Sequence, residues 1–219
     1  MPKLSLVILI SGRGSNMQAI LDRATRGELA VDVRAVISNN PDALGLKTAA
    51  AAGVHTEVLD HRRYADRNAY DRALRKVIDR YSPGLVVLAG FMRILSADFV
   101  RHYEGRLINI HPSLLPAFRG LNTHARAIEA GIREHGASVH FVTEELDGGP
   151  VILQAPVPVL PGDTAETLAA RVLDAEHVLY ATVIGWFSDG RLRYRNGMAY
   201  LDDQPLHRPQ RLTDARPEI

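Results

Sequence analysis

The chain has 219 residues, 46% hydrophobic and 23% charged, with 26 Lys+Arg against 25 Asp+Glu for a formal charge of +1, the profile of one soluble globular domain. It contains no cysteine, so disulfides, thiol nucleophiles, thiolate zinc sites and Cys-ligated iron–sulfur clusters are excluded. The balanced charge argues against a nucleic-acid surface built on bulk positive potential, and the 23 Arg against 3 Lys read as codon bias rather than anion chemistry.

Leu4 to Ile10 is an apolar run of seven residues behind Lys3. It is too short to span a bilayer and ends in Ser-Gly-Arg-Gly-Ser-Asn, not in a small-residue cleavage site, so it predicts a buried first strand and a cytoplasmic protein. Val33 to Ser38, Leu85 to Ala89 and Leu107 to Ile110 predict further buried strands. Asn16 to Arg26, Ala43 to Ala52 and Arg67 to Tyr81 predict helices between them, the last with Tyr70, Leu74, Ile78 and Tyr81 on one stripe. This alternation implies a parallel sheet with right-handed crossovers. After Pro112 follow a proline-punctuated loop, a short helix near Thr123 to Ala130, and β segments at Ser138 to Val142 and Pro150 to Val159. A long helix is expected from Thr164 to about Trp186, capped by Asp163 or Thr164. Asn196-Gly197 between Arg191–Tyr194 and Met198–Leu201 predicts a hairpin, and 202–219 reads as a loosely held polar tail.

Two places carry chemistry. Ser11-Gly12-Arg13-Gly14-Ser15-Asn16 joins a strand to a helix, where backbone N–H groups and the helix dipole favour an anion. A dinucleotide fingerprint needs a third glycine where Met17 stands and an acidic residue where Asn39-Asn40 stand, and no P-loop lysine is present. A phosphomonoester cradle, or a tight turn without ligand, remains. The second place is Asn109-Ile110-His111-Pro112, where an amide and an imidazole point to the same side at a strand end. The amide can donate to an oxygen gaining charge and the imidazole can move a proton. Asp147, before Gly148-Gly149, is the best carboxylate to orient that ring and favour its charged form; the alternative is a structural strand-end histidine. No second ligand lies at zinc spacing from His111. His55, His61, His102, His135 and His207 fall in segments that read as surface or loop; His140 reads as a satisfied strand histidine, and His124 and His177 as helix positions near the cleft.

Four segments, 8–16, 89–95, 109–116 and 139–150, taken in order, closely resemble the phosphoribosylglycinamide formyltransferases, with the likeness running from about residue 4 to residue 201. The resemblance implies a Rossmann-like α/β fold: an open, mostly parallel sheet with helices on both faces, a C-terminal long helix and a β-hairpin. It implies one domain over 1–201, with a phosphate-binding half at about 1–110 and a folate-binding, catalytic half at about 111–201. The implied activity is formyl transfer from the co-substrate 10-formyltetrahydrofolate to the amine of glycinamide ribonucleotide, by direct attack through a tetrahedral intermediate and without a metal. Asn109, His111 and Asp147 would be catalytic. Gly12, Arg13, Gly14, Ser15 and Asn16 would hold the ribonucleotide phosphate, and Glu176 its ribose hydroxyls. Arg67, Met92, Arg93, Ile94, Leu95, Asn109, Glu144, Glu145, Leu146 and Asp147 would bind the folate. The expected partners are these two small molecules, not nucleic acid or membrane, in a monomer or homodimer.

The chain departs from the family pattern at Arg119, in place of a proline, and at Asn122, in place of a histidine. Arg119-Gly120 resembles methionyl-tRNA formyltransferase, whose C-terminal RNA-binding domain would not fit in 219 residues. Formyltetrahydrofolate deformylase typically adds an N-terminal regulatory domain, also not expected here. A silent folate- or nucleotide-binding protein is disfavoured by the intact Asn109, His111 and Asp147.

Overall fold

The apolar run behind Lys3 forms strand β1 (Leu4–Ile10), buried from Leu6 onward. A computed structural model of the chain describes residues 3–212. They form two compact units, one running to Asn109 and taking in Val142–Glu144, the other holding Ile110–Phe141 and continuing from Glu145.

In the first unit β1 is followed by α1 (Ser15–Thr25), β2 (Val31–Ser38), α2 (Leu44–Ala51), β3 (Thr56–Val58), α3 (Arg67–Asp79), β4 (Leu85–Leu88), α4 (Ala97–His102) and the start of β5 (Leu107–His111). The strands lie in the order β3-β2-β1-β4-β5 and every pair is parallel. Val7, Leu9, Ala35, Ile37, Val86 and Leu88 pack with Tyr70, Leu74 and Ile78 of α3 and with Phe99 and Tyr103. The alternate residues Leu6, Ile8 and Ile10 are equally buried. Strands covered on both faces need apolar residues at every position, which is why they read as unbroken runs. Asp66 caps α3, its carboxylate accepting from the Ala69 N–H at 2.7 Å.

The second unit contains α5 (Thr123–Glu129), β6 (Glu134–Phe141), β7 (Val151–Pro158), α6 (Ala165–Ser188), β8 (Leu192–Arg195), β9 (Met198–Leu201), β10 (Gln204–Pro205) and β11 (Gln210–Arg211). β6 and β7 are antiparallel, and α6 packs against them. Thr164 caps α6 through a reciprocal box with Thr167, as the sequence anticipates. Asn196 and Gly197 both have positive φ, 50° and 76°, as a two-residue hairpin between β8 and β9 requires.

Two readings need correction. β6 begins at Glu134, four residues before the predicted Ser138, so His135 is a buried strand residue and not part of a surface loop. Gly136 hid this strand: its missing side chain makes room for the Ala155 carbonyl of β7, while breaking the apolar pattern. The segment read as a tail from Asp202 contains β10, paired with β9, and β11, paired with β7. Leu212 N–H donates to Gln154 O at 2.7 Å, and Arg211 pairs with Glu134 at 2.6 Å. Residues 213–219 of that segment lie outside the described residues.

Candidate active site

The glycine turn lies entirely in the first unit. Gly14 is the N-terminal flank of α1 with φ 74°, a left-handed geometry that suits glycine. A side chain there would press on the Gly45 Cα and on the buried Met17. Met17, at the position where a dinucleotide turn carries its third glycine, is fully buried and packs against Gly14. Gly12 differs: nothing lies within 4 Å of where its side chain would be. Its bare backbone faces a cavity of 260 Å³ lined by Ser11–Asn16, Ala89, Gly90 and Met92. The first N–H groups of α1 have no intrahelical acceptor, so the turn offers donors and a positive dipole end. Ser11 ties the cradle together: its N–H donates to Gly90 O at 3.1 Å, its hydroxyl donates to Asn39 Oδ1 at 2.6 Å and accepts from the Met92 N–H at 2.8 Å. Asn39 and Gly45 are structural members of this site that composition alone did not single out.

Met92 to Leu95 is irregular backbone leading into α4, with Met92 69% and Ile94 58% exposed. Large apolar side chains held at the surface are an invitation to a ligand with an apolar face. Arg93 lies beside them with its guanidinium 5.9 Å from the Tyr70 ring centroid and its Nε buried without a hydrogen-bond partner. Arg67 is exposed at the start of α3. Glu144, also in this unit, is held by Arg101 at 2.5 Å.

β5 carries Asn109 and His111 two residues apart, so both side chains leave the strand on one side. His111 is 5% exposed, and its two ring nitrogens face two acceptors. Nε2 lies 2.9 Å from Phe118 O and Nδ1 lies 3.4 Å from Asp147 Oδ2. The two contacts fix the plane and direction of the ring. Asp147 is fixed in turn: Oδ2 accepts from the Gly120 N–H at 2.9 Å and Oδ1 lies 3.9 Å from His140 Nε2. The backbone at Asp147 has φ 49°, a sparsely populated geometry of the kind that clusters at functional sites. The structure places His111 beside Asp147, and it adds backbone contacts from Phe118 and Gly120 that no residue type in the sequence announces.

The surrounding histidines are held neutral. Burial pushes His140 down to about 4, against the opposing pull of Phe141 O and Asp147 and with further depression from His111 and Arg119. Its Nδ1 lies 2.9 Å from Phe141 O. Burial also pushes His135 down to about 4, helped by His124 and His111, and lowers His124. His124 and His135 meet edge to face at 5.2 Å. Asn122 precedes α5 in the left-handed region, φ 57° and ψ 36°, which asparagine tolerates well. Glu176 is buried on α6 at 8% exposure, so it is not the solvated face residue that its helix position would suggest. Among the described residues, no group of three or more His, Asp or Glu is placed to hold a metal ion, and no helix is long and apolar enough to cross a membrane.

A mostly parallel α/β sheet with a donor-rich first turn and a His–Asp pair at a later strand end is the arrangement of an α/β enzyme. The formyl transferase family profile matches residues 4–184, and the chain belongs to that family. The phosphoribosylglycinamide formyltransferase of Escherichia coli (strain K12) is 56% identical over 203 residues, covering 93% of this chain and 96% of the relative. The phosphoribosylglycinamide formyltransferase from Coxiella burnetii, solved in complex with CHES, superposes with a TM-score of 0.92 at 50% identity, covering 96% of this chain and all of the other. A formyltetrahydrofolate deformylase from Burkholderia mallei is more distant, with 29% identity and a TM-score of 0.82, this chain covering 70% of it.

Proposed function

We propose that this chain transfers the formyl group of 10-formyltetrahydrofolate to the primary amine of glycinamide ribonucleotide, a step of purine biosynthesis. The observation that carries the reading is the buried His111–Asp147 pair at the end of β5, in a chain 56% identical to the E. coli enzyme. The folate supplies the formyl carbon. Asn109 donates to the formyl oxygen as the amine attacks and negative charge gathers there, and His111 joins it by exchanging its contact with Phe118 O for that oxygen while Nδ1 stays on Asp147. Asp147 keeps the imidazole oriented and, through water, takes the proton the amine loses and returns it to the departing folate nitrogen. No covalent enzyme intermediate is needed, and holding the two substrates in register contributes much of the acceleration.

The open backbone at Gly12 and the donors of Arg13, Gly14, Ser15 and Asn16 suit the ribonucleotide phosphate, with Glu176 assigned to the ribose hydroxyls. Met92, Arg93, Ile94 and Leu95, the backbone of Glu144, Glu145, Leu146 and Asp147, and Arg67 are assigned to the folate. In this reading about 1–110 is the phosphate-binding half and about 111–201 the folate-binding and catalytic half of a cytoplasmic monomer or homodimer. The test is turnover of His111→Ala and Asp147→Asn. Loss of roughly 10²–10⁴-fold in kcat with an unchanged unfolding midpoint is expected, and wild-type turnover in either variant contradicts the assignment.

A further inference from the structure

The Arg119 side chain forms an ion pair with Glu145. Its position in the chain gives that pair leverage. Phe118, just before it, presents its carbonyl to His111, and Gly120, just after it, donates its N–H to the Asp147 carboxylate. The backbone of Arg119 is pinned from behind, since its carbonyl accepts from Arg126 Nη1 at 2.7 Å while the Arg126 guanidinium sits 5.4 Å from the Phe118 ring centroid. On the other side Glu145 is two residues before Asp147, and its carbonyl accepts from the Gly148 N–H at 3.1 Å. Its side chain folds over Gly148, which could not carry a Cβ without displacing the Glu145 carboxylate.

We propose that Arg119 is a positioning residue: the Arg119–Glu145 pair clasps the Phe118–Gly120 turn to the Glu145–Gly148 loop and thereby holds the Asp147 carboxylate against His111. The inference rests on the formyl-transfer reading for its kinetic consequence but not for its geometry. The clasp closes a ring: Asp147 to Gly120 by a hydrogen bond, Gly120 to Arg119 by the chain, Arg119 to Glu145 by charge, and Glu145 to Asp147 by the chain. Without it Asp147 has to keep its left-handed backbone and its Gly120 hydrogen bond with less support. The pair is partly exposed, with side chains 39% and 65% accessible, so its contribution is modest and salt-sensitive. The charge of Arg119 also reaches His140, where it reinforces the neutral imidazole.

The test combines kinetics with amide hydrogen exchange on Arg119→Ala, Glu145→Ala, the double variant and Gly148→Ala. Each is expected to lose roughly two- to fivefold in kcat, with the ribonucleotide KM unchanged and the double variant no worse than either single one. The Gly120 amide is expected to exchange faster by a similar factor in all four. Raising ionic strength to about 1 M, where the Debye length is about 3 Å, should lower wild-type kcat at saturating substrates while leaving Arg119→Ala unaffected. Unchanged kcat and unchanged Gly120 exchange in Arg119→Ala, or losses that multiply in the double variant, would overturn the clasp. Faster Gly120 exchange in a protein that transfers no formyl group would leave the clasp standing and sink the functional reading instead.

Discussion

Gly12 and Gly14 stand two residues apart in one turn but answer to different demands. Gly14 is required by its backbone angle and by the close approach of Gly45, whereas Gly12 meets nothing and is small only toward the cavity. Gly12→Val should therefore fold normally and raise the ribonucleotide KM by about tenfold or more with a smaller change in kcat, because it fills the space a phosphate would take. Steady-state kinetics with varied ribonucleotide, alongside a urea titration, separates these outcomes; unchanged KM contradicts the cradle. The same contrast marks how far single residues could be read. His111 was legible because a strand end followed by Pro112 fixes which way i and i+2 point. His135 was not, because Gly136 beside it serves a cross-strand backbone contact that no local pattern announces. The clamps on His111 and Asp147 come from main-chain groups of Phe118 and Gly120, and main-chain groups leave no trace in residue identity.

The elements that matched prediction are those whose own sequence pays no attention to partners. β4, β1 from Leu6 and β2 from Ala35 to Ile37 are apolar runs because both faces are covered there, and α3 and α6 carry cap residues ahead of a periodic stripe. β3, α4, β10 and β11 were missed; they have three, six, two and two residues, too few for a period to show. β11 in particular owes its existence to the free edge of β7, which it pairs over Gln210 and Arg211. For α6 the cap is a separable contribution. Thr164→Ala removes the hydroxyl that accepts from the Thr167 N–H and should cost about 0.5–2 kcal/mol in urea unfolding. A cost near zero would mean that tertiary packing alone holds that end.

On the scale of the whole molecule, buried neutral histidines make stability depend on pH. His135 and His140 sit at about 4 in the folded protein against 6.5 for the free side chain. Between those values the unfolded chain binds more protons, so stability is fully present above pH 6.5 and is lost as pH falls toward 4. Thermal melts should show a falling midpoint across that window, and His135→Gln should flatten the fall; a midpoint that rises on acidification would contradict the burial argument. The near-zero net charge belongs to this scale too, since small anions held by local donors need no global field. The claim on which everything turns is that the formyl group leaves the folate only for an amine acceptor. Purified protein is mixed with 10-formyltetrahydrofolate, the absorbance of the folate product is followed, and glycinamide ribonucleotide is then added. A flat trace before the addition and product formation after it are expected; folate product and free formate released without the ribonucleotide would mark a deformylase and contradict the formyl-transfer reading.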